Sequence, residues 1–298
     1  MSDFTPETRN SAMWSGDARK IANGKANEVI LTKLGKMPIP DLSDVEAVQM
    51  GHVFEPVIGS LASKRLDIEL FKQDAMYSHP EHEWLRTHVD FVGKENGQHI
   101  LVEAKNYNAA VRGKFDPETG LMPAADRAQC IHEATVFGCS KVYLAVLLGG
   151  QEFIIMPLEV TDQMKADHIA KMSEIWSHVG NGTTLPPETL EQTKLLYPES
   201  TVDTKLASKS VEHACSLLKE IKEKRKALEA QEEQLQVMIQ GYMGECGSLQ
   251  SLEGNVLATW RSAKPTKSFD SKLFESAMPD VYNKFIMEKT GSRRFLIK

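Results

Sequence analysis

Across 298 residues no apolar run approaches the roughly 18 residues that a membrane helix requires. A helical membrane protein is therefore not expected. The opening MSDFTPETRNSAMW lacks a basic segment leading into an apolar one, so no secretory leader is expected and the cytoplasm is the default compartment. Cysteine is scarce: Cys130, Cys139, Cys215 and Cys246 form no C-x2-C pair, which disfavours a zinc ribbon or a disulfide framework. His79, His82 and His88 lie near one another in sequence, but nothing beside them completes a tetrahedral metal set. Positive charge is also in deficit. A formal net charge of −6 argues against indiscriminate coating of nucleic acid. The deficit is uneven, with 19 Lys and Arg against 29 Asp and Glu in residues 1–204, and 16 against 12 from Lys205 to Lys298. An acidic body with a mildly basic C-terminal part is compatible with a metal-dependent enzyme acting on a polyanion.

What the chain does have is a stretch around which the rest can be organised, Trp84 to Lys105. Two runs rich in Val, Ile and Leu flank Asn96-Gly97, the strongest short-range signal for a two-residue β-hairpin turn. Counting outward, Glu95 faces Gln98, Val92 faces Leu101, and Asp90 falls opposite Glu103. Directly opposed like charges on an antiparallel pair are destabilising. Lys105 shares that face by the period of a strand, while Ala104 points to the other. One lysine cannot neutralise two carboxylates, so either a divalent cation held by oxygen ligands, Mg²⁺ or Mn²⁺, lies between Asp90 and Glu103, or this is a solvated strand face with an incidental salt bridge.

The length allows one large domain or two. A helix is expected from Ser15, with Ala18, Ile21, Ala22 and Val29 on one face. A second, capped by Ser43 or Asp44, would place Val45, Val48, Val53, Val57, Ile58, Leu61 and Ala62 on one side and kink at Pro56 beside Glu55. Asp67 to Tyr77 would add a third strand to the hairpin. A loop carrying Arg112 and Lys114 follows, then a helix from about Ala124 to Phe137 that bears Gln129 and stops at Gly138. Two strands, KVYLAVLL and QEFIIMPLE, are joined by Gly149-Gly150, and residues 161–180 form a helix before the loop GNGTTLPPET. The order gives a mixed sheet flanked by helices. From Val211 to Tyr242 apolar residues alternate at spacings of three and four, a heptad seam interrupted by Arg225 and Glu232. It reads as a long helix that docks on a partner helix or subunit, or as an amphipathic arm on the body. VLATWR and RRFLIK read as short strands around a helix containing Leu273, Phe274 and Tyr282.

Glu55 within G-x-x-x-E-P, Asp90, Glu103-Ala104-Lys105, and Gln129 in a helix that follows Pro123 and ends in a glycine stand in a fixed order. That order resembles the PD-(D/E)XK nuclease superfamily and, within it, the YqaJ-like viral recombinase nucleases, the group containing lambda exonuclease. Arg9 and Ser15 are similar in spacing to the family's N-terminal R-(x)5-S element, although NSAMW replaces its glycine-rich text. Val89-Asp90-Phe91 stands where P-D-G is usual.

The resemblance implies an α/β (α+β) fold with a restriction-endonuclease-like mixed central sheet flanked by helices. Residues 1–200 would form the nuclease domain, and residues 201–298 a C-terminal helical arm with a small α/β extension for oligomerisation, DNA or partner contact. It implies a Mg²⁺-dependent deoxyribonuclease, an exonuclease running 5′ to 3′ from double-stranded DNA ends, in recombination with a single-strand annealing protein and as a homo-oligomer, commonly a trimer. Asp90, Glu103, the Ala104 carbonyl and Glu55 would hold metal, Lys105 and Gln129 would act at the scissile phosphate, and Arg9 with Ser15 would grip a 5′ phosphate. Arg112 and Lys114 would touch the DNA backbone. An endonuclease or Cas4-like enzyme of the same superfamily and a non-catalytic DNA-binding module are the competing functions.

Overall fold

A computed structural model describes residues 6–287 and 293–298. The chain divides between Tyr197 and Pro198 into two units. In the first, the short helix α1 (Pro6–Asn10) precedes α2 (Ser15–Ala22) and α3 (Ala26–Lys33). The single amphipathic run expected there is split because the chain turns at Gly24, where φ is +76°. Then come α4 (Glu46–Leu66), β1 (Leu70–Lys72), β2 (Met76–Ser78), β3 (Arg86–His88), β4 (Phe91–Glu95) and β5 (Gln98–Tyr107). A 3-10 turn at Ala109–Lys114 leads to α5 (Ala124–Phe137), β6 (Lys141–Leu148), β7 (Glu152–Glu159), α6 (Asp162–Gly180) and α7 (Leu190–Leu196).

The central sheet has the order β1-β4-β5-β6-β7, with β5 and β6 parallel and the other neighbours antiparallel. This is the expected mixed sheet between helices. Asn96 and Gly97 both take positive φ, 47° and 81°, as a type I′ turn requires. Glu95 faces Gln98 and Val92 faces Leu101, so the counted register holds.

Alternation on β5 then sorts the core. Ile100 and Val102 pack with Ile58, Ala62 and Phe91 on the α4 side, whereas Leu101 joins Cys130, Ala134, Leu144 and Val146 on the α5 side. Glu103 and Lys105 follow Leu101 by two and four residues and therefore face α5.

Several local expectations are corrected. Helix α4 begins after Val45 with no side-chain cap, so neither Ser43 nor Asp44 caps it. Its buried face is Ile58, Gly59 and Ala62, while Val53 and Val57 are exposed. The stripe is narrow because α4 lies directly on Phe91: a Cβ on Gly59 would come within 2.3 Å of that ring. Gly59→Ala gains about 1 kcal/mol of helix propensity, yet the overlap with a buried ring outweighs it. A net loss of about 1–2 kcal/mol in urea unfolding is expected, and an unchanged midpoint would refute this packing.

Only Leu70–Lys72 joins the hairpin as a third strand; Met76–Ser78 turns away to pair with Arg86–His88. The loop after residue 180 contains α7, for which the sequence reading had no helix.

Helix α5 is fastened to α6 by a buried histidine, His132, and a half-buried one, His168. His132 Nε2 lies 3.0 Å from the Arg86 carbonyl, which can only accept, so that nitrogen carries the proton and Nδ1 accepts from His168 Nε2 at 3.0 Å. Burial lowers His132 to about 4, and burial together with His132 lowers His168 to about 3. In the unfolded chain both titrate near 6.5. Each therefore favours folding fully above that pH, and the contribution is lost as pH falls from about 6.5 through 4 for His132 and through 3 for His168. At about 1.4 kcal/mol per pKa unit, His132 alone makes the fold about 3 kcal/mol weaker at pH 4 than at pH 7. Urea unfolding at the two pH values, with His168→Gln expected to flatten the slope, checks this.

The second unit holds α8 (Lys209–Met243), the hairpin of β8 (Ser248–Gln250) and β9 (Val256–Thr259), α9 (Ser271–Ala277) and α10 (Pro279–Lys284). VLATWR supplies β9, but its partner is β8. RRFLIK forms no strand, and Pro279 starts a new helix where one continuous helix was expected. Among the described residues of this unit, Met243 is the one buried hydrophobic.

Candidate metal-dependent active site

The hairpin places Asp90 immediately before β4 and opposite Glu103, and their proximity has a chemical signature. Burial, then the Glu103 carboxylate, pushes Asp90 well above the usual carboxylate range. The Ala104 N–H donates to Asp90 Oδ2 at 2.8 Å. Glu103 is itself buried, and its Oε1 accepts from both Lys105 Nζ and Gln129 Nε2. Burial works against the Lys105 ammonium, but Glu103 overrides it and the lysine is held above its ordinary value. Lys105 is thus a fixed cation rather than a base.

The expectation that only an ion could reconcile the two acids is therefore too strong. An ammonium, an amide and a backbone N–H already face them, because a strand edge and a helix bring donors that a hairpin register alone does not reveal. Glu55, on α4, makes an ion pair with Lys72 Nζ at 3.1 Å and adds to the field at Asp90. Among the described residues no three His, Cys, Asp or Glu side chains form a ready-made metal cage. Yet Asp90 Oδ1 and Glu103 Oε2 accept no hydrogen bond there. A hard cation with oxygen ligands fits that donor set.

Helix α5 supports the pair from beneath. Pro123 and Gly138, the latter at φ +85°, bound the helix, and its buried face carries Asp126, Gln129 and Glu133 at i−3, i and i+4. Gln129 Nε2 also donates to Glu133 Oε1 at 2.8 Å, and its Oε1 accepts from Arg19 Nη1 at 3.0 Å. The whole amide is engaged, so it orients Glu103. Burial, then Glu103, raises Glu133 well above its ordinary range. Arg19, on α2, also forms an ion pair with Asp126 and donates to the Tyr107 hydroxyl at 3.1 Å; Tyr107 in turn donates to Asp126 at 2.7 Å. Arg19, Lys72, Tyr107, Asp126 and Glu133 are not among the residues expected at the site from sequence. The acids three before and four after Gln129 were the available signal for two of them, since carboxylates on the buried face of a helix demand partners.

Gln129 also lines a cleft of about 450 Å³ with Arg9, Ser15, Lys20, Lys33 and His88. The Arg9 carbonyl accepts from Trp14 Nε1 and from Lys33 Nζ, whose ion pair with Asp17 spans 2.6 Å. The two N-terminal candidates thus share a cavity with the residue that orients Glu103. Arg112 does not join them. It pairs with Glu152 at 2.6 Å and donates to the Phe115 carbonyl, pinning the 3-10 turn to β7. Lys114 is exposed at the end of that turn.

No helix among the described residues is long and apolar enough to cross a membrane. The chain is 27% identical over 285 residues to the uncharacterized protein YqaJ of Bacillus subtilis (strain 168), covering 91% of this chain and 85% of that protein. Among solved structures it is similar to an alkaline exonuclease (LHK-Exo) from Laribacter hongkongensis, with 12% identity, a TM-score of 0.43, and coverage of 58% of this chain and 90% of that one. It is also similar to a phage related exonuclease from Haemophilus somnus 129PT, with 10% identity, a TM-score of 0.42, and coverage of 54% and 80%. The stretch that holds Arg9, Ser15, Glu55, the hairpin acids, Lys105 and Gln129 is the stretch that a family model matches: residues 9–140 are similar to the YqaJ-like viral recombinase domain.

Proposed function

We propose that the chain is a metal-dependent deoxyribonuclease that degrades linear duplex DNA from its ends, 5′ to 3′, leaving 3′ single strands for annealing-type recombination. The observation that carries this is the convergence of Asp90, Glu103, Lys105 and Gln129 on the α5 face of one hairpin. Asp90, Glu103 and the Ala104 carbonyl, with Glu55, would hold Mg²⁺, or Mn²⁺ in its place, which when bound supplies a Lewis acid at the scissile phosphate and lowers the pKa of a bound water. Lys105, kept protonated by Glu103, stabilises charge that grows on the phosphate oxygens. Gln129, gripped by Arg19 and Glu133, holds the Glu103 carboxylate in one orientation. Arg9 with Ser15 receives the 5′ phosphate in the cleft through a charge-assisted contact. A cytoplasmic setting, a single-strand annealing protein as receiver of the product, and a homo-oligomeric, trimeric enzyme complete the proposal.

Linear duplex incubated with and without Mg²⁺, with each end blocked in turn, tests the activity and its polarity. Loss confined to a blocked 5′ end is expected, whereas cleavage of closed circles at an equal rate would indicate an endonuclease. Arg9→Ala should slow attack on 5′-phosphorylated ends by about 10–100-fold, a loss of one charged contact of about 1.5–3 kcal/mol. An equal loss on 5′-hydroxyl ends would refute that role.

A further inference from the structure

Arg19 has more donors than the fold uses. A guanidinium carries five N–H groups in a fixed planar fork. Asp126 Oδ1 accepts from Nη1 and the Tyr107 hydroxyl from Nη2, and these two oxygens are 2.7 Å apart, so both lie along the edge between the terminal nitrogens. Gln129 Oε1 takes the other Nη1 hydrogen at 3.0 Å. Nε–H and the second Nη2 hydrogen remain. They point the same way from the adjacent edge, and among the described residues nothing accepts from them. The Arg19 side chain stays 29% exposed while Asp126 beside it is buried.

Its place on α2 matters as much as its donors. Arg19 follows Ser15 by four residues, so it stands on the same helix face one turn, about 5.4 Å, further along. Ser15 lines the cleft with Arg9, and Gln129 links Arg19 to Glu103 and through it to Lys105. Arg19 is near enough to Lys105 for the two charges to act on one another. We infer that the free Nε–Nη2 edge of Arg19 grips the scissile phosphate, the one next to the 5′ phosphate at Arg9 and Ser15, and stabilises it together with Lys105. This rests on the nuclease reading and adds to it a direct contact with substrate. Two parallel N–H donors match two non-bridging oxygens of one phosphate. A lysine could pair with Asp126 but has no such fork.

The full chain, bound to 5′-phosphorylated linear duplex with Ca²⁺ in place of Mg²⁺ and followed by fluorescence anisotropy, tests the contact without cleavage. A methylphosphonate replaces one charged oxygen of a chosen linkage by a neutral methyl group. At the linkage that Mg²⁺ digestion cuts first, it should weaken wild-type binding about tenfold more than binding by Arg19→Lys, since loss of a metal contact to the same oxygen is common to both and cancels. At the next two linkages the proteins should respond alike. Arg19→Lys keeps a cation beside Asp126, and urea unfolding checks that it folds; Arg19→Ala with Asp126→Asn is the second variant and should show the same blunted response. Wild-type sensitivity in both variants, or coupling at another linkage, would overturn the contact, because a residue that only orients Gln129 changes affinity by one factor whichever linkage is modified. A wild type that binds no duplex end, or cuts none with Mg²⁺, would instead remove the nuclease reading and this inference with it.

Discussion

Asp90→Asn should abolish Mg²⁺-dependent hydrolysis of linear duplex, by roughly a thousandfold or more, and at the same time raise the melting temperature. The two effects have one cause. Burial and the neighbouring Glu103 hold Asp90 above its ordinary range, which means that the folded protein disfavours the charged form that the proposed metal site needs. A carboxyl with a raised folded pKa opposes folding at neutral pH, so replacing it by a neutral amide removes that cost. The amide oxygen introduced by Asp90→Asn can still accept from the Ala104 N–H, so the hairpin is not disturbed. Glu103→Gln should lose activity to a similar extent, since it removes the charge that holds Lys105 and leaves that ammonium without its closest partner. Thermal melts beside a nuclease assay check both. Wild-type cleavage by either variant would end the assignment of the acids, and an Asp90→Asn protein that melts lower would show that the repulsion is already relieved.

Arg19→Ala should destabilise the fold by about 3 kcal/mol. Arg19 is part-exposed, but its partner Asp126 is almost fully buried between α5 and β5, and Tyr107 alone would then face that carboxylate. Removing one member of a buried pair leaves an uncompensated charge, whereas removing both is far cheaper. Arg19→Ala with Asp126→Asn should therefore recover most of the loss in urea unfolding. Gln129 would also lose its Arg19 contact, so cleavage by the double variant should stay below wild type even where stability returns. Additive losses in the two single variants would refute the coupling.

Period and turn chemistry carried most of the first unit. Asn96-Gly97 fixed the hairpin register, and with it which face bears Glu103 and Lys105. Pro123 and Gly138 bounded α5, and the two apolar runs around Gly149-Gly150 became β6 and β7. The failures are instructive in the same terms. Ser43 and Asp44 are good caps by composition, but α4 starts after Val45 with no side-chain cap, and what holds the helix is the packing of its C-terminal half, Ile58, Gly59 and Ala62. Met76–Ser78 has strand character that cannot say which neighbour it will pair with, because pairing partners are chosen by the packing of α5 and β3 rather than by local sequence.

Residue order along the chain was enough to say which side chains alternate, where the backbone turns, and that two acids must stand opposite one another, because these depend on neighbours a few positions apart. What surrounds those acids came only from packing. Arg19, Tyr107 and the α5 pair of Asp126 and Glu133 belong to three separate stretches, and only the closing of α2 and α5 onto β5 brings their charges together. Electrostatic partnership depends on distance in space, and no spacing along the chain encodes it.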